Sequence, residues 1–181
     1  MPIAALPKAL LIKNEAVYKT DIVPTGAANA ILLREDPTLT PIETDKDERN
    51  NAKAYFGQNQ MLVAAVRRKL SFAVEFGGCG TPLGAPAPYS CLLRACAMNQ
   101  VIVATTSVTH SPVTNVVDSA SIYFWQGDKK YIRVGARGNA KMMFAAGKIP
   151  LMMFDFIGLL PAANDVIDDS GYGGALTLTG W

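Results

Sequence analysis

The chain has 181 residues and is half hydrophobic, so it has the size and composition of one domain able to bury a core without disulfide or metal staples. Its 17 basic and 15 acidic residues leave a formal charge of +2, too little for a protein that grips nucleic acid by neutralising many phosphates at once. Cys79, Cys91 and Cys96 lack metal-ligand spacing and read as reduced thiols in a cytoplasmic setting.

Residues 1–26 contain three prolines, Pro2, Pro7 and Pro24, and read as an extended N-terminal arm. The prolines and lysines of MPIAALPKALLIK interrupt its apolar character well before the roughly 18 residues of a membrane helix, and no membrane insertion is expected. Residues 27–160 read as one β-rich domain. Its first strands fall at residues 27–33 and 39–43, and the second runs into a polar loop, residues 44–60. A loop of this length is uncommon inside a compact domain, so its charged residues Asp45, Lys46, Asp47, Glu48 and Arg49 are candidates for contact with another subunit.

From Lys69 the pattern takes a period of two, with Phe72, Val74 and Phe76 on one face and Ser71, Ala73 and Glu75 on the other. The glycines of GGCG at 77–80 end that strand. The spacing of Tyr89, Leu92, Leu93 and Cys96, with Pro88 in the first turn, predicts one helix over about 86–98. Residues 101–113 are rich in β-branched side chains. Two hairpins follow: 119–126 returns through Gly127-Asp128 as 129–136, and 137–145 returns through Gly147-Lys148 as 149–159. Residues 161–181 show no lasting period and read as a C-terminal arm. The sum is a mainly β chain, an antiparallel β-sandwich or partly closed barrel with one flanking α-helix and extended arms at both ends.

Chemistry-bearing motifs are sparse. His110 is the sole histidine, and a Cys91–His110 nucleophile–base pair is set against the commoner outcome for a cysteine beside Leu92 and Leu93, a buried inert thiol. GGCGTPLG, at 77–84, lacks the Gly-Lys-Ser/Thr ending of a phosphate loop, GYGG opens no predicted helix, and DVIDD, at 165–169, falls short of a calcium loop. Arg67-Arg68-Lys69 reads first as an exposed strand, next as an assembly salt bridge, and last as a nucleic-acid contact. No catalytic, cofactor-binding or metal-binding residue is expected.

KNEAVYKTDIVPTGAANAILL, at 13–33, resembles the N-terminal segment of siphophage tail tube proteins, in which a Tyr-x-Thr and a Pro-Thr step lead to the first strand. The later pieces are similar in the same order: SFAVEFGGCGT, APAPYSCLLRACAM, SVTHSPV, SIYFWQGDKKYIRVGARGNAKMMF and IPLMMFDFIGLLP. The similarity covers most of residues 13–161 and excludes the last twenty. It implies the fold shared with the type VI secretion tube, and a virion protein assembled in the host bacterial cytoplasm as hexameric rings stacked into a hollow tube. The implied partners are further copies of the chain, the tape measure protein, the tail terminator and distal tail proteins, and viral DNA in transit. A conduit for DNA needs a bore that does not hold phosphates, so Glu75 and Asp155, on the polar faces of two strands, are the candidate lumen residues; Lys141 would blunt their effect from the same face. Two alternatives stay open: a tail terminator or distal tail or neck protein on the same fold, and a small carbohydrate-binding sandwich using Trp125, Tyr123 and Tyr131 as a stacking platform.

Overall fold

The computed structural model describes residues 8–52, 54, 56–78, 84–127 and 129–161. Among them lie β1 (Lys8–Asn14), β2 (Ala30–Ile31), β3 (Thr38–Glu48), β4 (Met61–Glu75), α1 (Ser90–Ala95), β5 (Met98–Val103), β6 (Ser107–Pro112), β7 (Ala120–Gln126), β8 (Lys129–Met143) and β9 (Leu151–Leu159). Seven strands pair antiparallel in the order β2-β1-β7-β8-β9-β4-β3, and β5 and β6 form a separate hairpin. The chain is mainly β, and the sheet stays open at β2 and β3 instead of closing into a barrel. No described helix is long and apolar enough to cross a membrane.

β8 makes a sandwich out of a single sheet. Residues 129–136 of this strand pair with β7, and residues 134–143 pair with β9. Where the two pairings overlap the register slips between Val134 and Arg137, and Gly135 takes φ 61°, a left-handed conformation that costs glycine nothing. Such a bulge bends the strand and sharpens its twist, which carries the chain from one layer to the other. The two inner faces then meet in one core: Leu10, Ile12, Ile122 and Phe124 from one layer, Phe72, Val74, Met152, Phe154 and Phe156 from the other. Phe72 stacks on Phe154 and Phe156 with ring centroids 5.7 and 5.9 Å away. Gly138 leaves the room this requires, since a Cβ there would sit 2.8 Å from the Phe156 ring.

α1 has six residues and no side-chain cap at its N-terminus, too short to hold itself together in water. Burial of Leu92 and Leu93 in the core, about 1.5–3 kcal/mol each, fixes it. The ion pair Arg94–Asp118 (2.6 Å) and a hydrogen bond from the Asn14 amide to the Cys91 carbonyl (3.0 Å) tie it to its surroundings.

Several elements depart from the sequence reading. The arm expected over 1–26 contains β1, which lies between β2 and β7. Leu10 and Ile12 face the main core, while Ala9 and Leu11 pack with Tyr123 and Trp125 on the other face. Burial on both faces erases the alternation that marks a strand. The strand expected at 27–33 shrinks to Ala30–Ile31, and the helix over 86–98 to Ser90–Ala95. Residues 101–113 hold two strands, because the chain turns back at 104–106 and Thr106 N–H bonds the Val103 carbonyl at 3.0 Å. The polar loop 44–60 begins five residues late: Thr44, Asp45, Lys46, Asp47 and Glu48 belong to β3. Cys79, residues 162–181 and the motifs DVIDD and GYGG lie outside the described residues.

Candidate assembly interface

β9 pairs with β4 only from Arg67 to Glu75. Beyond that point Thr44–Glu48 of β3 and Met61–Val66 of β4 have only each other, in a two-stranded ribbon closed by the bond from Arg49 N–H to the Gln60 carbonyl (3.0 Å). Six residues at about 3.3 Å each project it roughly 20 Å past the sheet. Both faces of the ribbon meet solvent, with Met61, Leu62 and Val63 exposed, and Phe56 is fully exposed in the connection at its end. A two-stranded ribbon is marginal by itself, and this one displays apolar side chains to solvent, which makes it the candidate contact surface. The five charged residues singled out in the sequence lie along it. Asp45 pairs with Arg67, and Arg49 lies at the closing bond.

Glu75 and Asp155 share one exposed face of the sheet. Glu75 lies opposite Leu151 and Asp155 opposite Ser71, four positions or roughly 13 Å apart along adjacent strands. The same face carries Arg67 and Lys69 of β4, Glu43 and Asp45 of β3, and Arg137 and Lys141 of β8. Lys141 therefore does point the same way. The strands place four acidic and four basic side chains here, and Arg34 reaches Glu75 as a fifth base, so the face carries no net negative charge. Three of the carboxylates are paired: Asp45 with Arg67, Glu43 with Lys69 (2.7 Å), and Glu75 with Arg34 (2.9 Å). Asp155 forms no ion pair among the described residues; it lines a shallow cleft with Arg67, Arg137 and Tyr18.

Glu15 anchors the segment that follows β1. Its carboxylate, 7% exposed, accepts hydrogen bonds from the hydroxyls of Ser119 (2.6 Å) and Ser121 (2.8 Å) and from the backbone N–H groups of Gly135 (2.7 Å) and Lys19 (2.9 Å). It thus joins β7, the β8 bend and the turn at Lys19. Tyr123 donates to Asp21 at 2.6 Å, and burial pushes its phenol well above the ordinary range. Tyr123 and Trp125 are buried on the outer face of β7, whereas Tyr131 lies opposite Phe124 and packs against the core. The three aromatics do not form one platform.

Deeper still, Arg133 is fully buried, with Nε and Nη1 unpartnered among the described residues and one long contact from Nη2 to the Lys69 carbonyl (3.5 Å). Burial, and then the nearby Arg68 charge, lower its pKa to about 9. Arg68 bonds the Pro41 and Ile132 carbonyls, each at 2.9 Å.

A cavity of about 440 Å³ opens beside α1, walled by Phe76, Tyr89, Leu93, Met98, Val108 and Met142. Ser90 and His110 border it, Oγ to Nε2 at 3.4 Å, and burial holds the His110 pKa below its usual value. His110 thus meets Ser90 and not Cys91, whose thiol points to the Pro88 carbonyl. No carboxylate orients His110; its Nδ1 is buried without a hydrogen bond among the described residues. Desolvation pushes Cys91 up to about 11 and Cys96 to about 12, so both remain protonated thiols at neutral pH.

No protein-family model matches the chain, and no curated protein does. Sequence reasoning passed over Phe56, Glu15 and Arg133. Phe56 follows Tyr55 in an otherwise polar stretch, a usable signal, since an aromatic pair there has little local apolar surface to pack on. Glu15 and Arg133 gave no signal, because most partners of Glu15 lie about a hundred residues away and Arg133 has few among the described residues.

Proposed function

We propose that the chain is the structural subunit of a bacteriophage tail tube, self-assembling into stacked hexameric rings that form the conduit for DNA ejection. The observation that carries this reading is the β3–β4 ribbon, which displays apolar side chains beyond the sheet and buries nothing within its own subunit. Two further features support it. The sheet is open at both edges, offering backbone hydrogen bonds to neighbours, and the order of sequence segments resembles siphophage tail tube proteins. Ion pairs to Glu43, Asp45 and Glu75 tie up three bases on the Glu75–Asp155 face, which limits its hold on phosphates as a bore requires. The carbohydrate reading loses its platform with the burial of Tyr123 and Trp125. Negative-stain microscopy of the purified protein tests the proposal: long hollow tubes are expected, single rings favour a terminator on the same fold, and monomers at high concentration overturn assembly.

A further inference from the structure

We propose that Phe56 at the end of the ribbon is a knob that fills the cavity beside α1 of a second copy, making a head-to-tail contact. This rests on the reading of the chain as a self-assembling subunit and names one contact that builds the assembly. β4 separates the two features. The ribbon ends at Met61, and the cavity begins with Phe76, the residue after Glu75, so fifteen strand residues set them roughly 45 Å apart. The connection carrying Phe56 is pinned at Arg49 and Gln60 and is too short to reach back over that distance, even fully extended. Phe56 therefore cannot enter the cavity of its own subunit, and only the Phe56 of another copy can.

The fit is chemical as well as geometric. A cavity of about 440 Å³ with an apolar wall is of the size that accepts an aromatic side chain. Gly84, at φ 78°, fixes one edge of it by lying against the backbone of Val103 and Thr105, where a Cβ would come within 2.7 Å of both. Each end also carries an apolar surround of the kind a stable contact buries: Met61, Leu62 and Val63 behind the knob, and Met143, Phe144 and Ile149 near the cavity, all exposed. Unlike surfaces at opposite ends give a heterologous contact, which repeats from copy to copy and produces rings or filaments.

Phe56→Asp disables the knob without touching the core, because the side chain is fully exposed, and Val108→Arg blocks the cavity. Each full-length variant, checked for native circular dichroism, should stop at the size reached without this contact in sedimentation velocity, with association weakened roughly 10- to 100-fold or more. Mixed in equal amounts, the two should double that size and grow no further, since one intact knob meets one intact cavity. Should Val108→Arg fail to fold, a Phe56→Cys/Val108→Cys variant supplies the measurement: oxidation should give a ladder of linked chains. Wild-type assembly that persists unchanged in Phe56→Asp overturns the inference while leaving the tube reading intact. Folded variants that fail to complement, or a cysteine pair that gives no ladder, overturn it equally. A wild-type chain that never associates overturns both.

Discussion

Glu15 is a carboxylate enclosed by neutral donors, and every one of its four hydrogen bonds reaches a different turn or strand residue. Bonds to a charged acceptor contribute about 1.5–3 kcal/mol each, and removing the acceptor leaves the buried donors unmet. Glu15→Ala should therefore lower stability by on the order of 3 kcal/mol, a drop of roughly 6–12 °C in Tm by thermal melt. A loss below a degree would show that water replaces the carboxylate freely. Arg133 is the opposite case, a buried charge with too few partners. Replacing such a group with an apolar side chain of similar size is often stabilising by about 1–4 kcal/mol, so Arg133→Met should raise stability at pH 7. Its native pKa of about 9 lies below the ordinary 12.5, so between these values the unfolded chain holds a proton the native state has shed. Wild-type stability rises relative to the variant across that window, and the advantage of Met should narrow from pH 9 upward in urea melts. A gap that is constant with pH would mean that Arg133 keeps its proton.

Along β4 the environment changes halfway. Residues 67–71 are bonded on both sides, to β3 and β9, whereas residues 61–66 pair with β3 alone. In the free subunit the amides of the ribbon should exchange with deuterium much faster than those of the sheet, and assembly should slow them. Equal, strong protection in both states would remove the ribbon from any interface. Most elements here were legible where one face is wet: the 119–159 hairpins show their turns at Gly127 and Gly147, and both take positive φ, at 63° and 73°. β1 was not, because KALLIKN is buried on both faces and reads like an apolar linker. The strand character of Asp45–Glu48 was hidden for the opposite reason, since a ribbon exposed on both faces has no hydrophobic period to read.

At the scale of the whole molecule, the Glu75–Asp155 face bears on passage of DNA if the chain forms a tube as proposed. Changing both residues to lysine swings each subunit by about four charges and leaves Arg34 without its partner. If this face lines the bore, tubes should still form, but ejection should slow or stall at low salt and recover as screening shortens the reach to about 10 Å near 0.1 M. Normal ejection at low salt would move the bore elsewhere, and failure to form tubes would place these carboxylates in a subunit contact. The assembly features were legible from sequence as a long charged segment, but not the pairing that neutralises it. Those ion pairs join strands far apart in the chain, as Lys69 with Glu43 and Arg34 with Glu75 show.

The bend of β8 at Gly135 has a mechanical side. In a sandwich of two separate sheets, the layers meet only through side chains and can slide past one another at little cost in backbone bonding. Here one strand belongs to both layers, so the hydrogen-bond lattice runs around the corner without a seam. Sliding one layer over the other must strain the bulge and the Gly135 N–H bond to Glu15 that braces it. A wall made of such subunits is stiff against shear across its thickness, and yields first where the lattice is thinnest, in the ribbon.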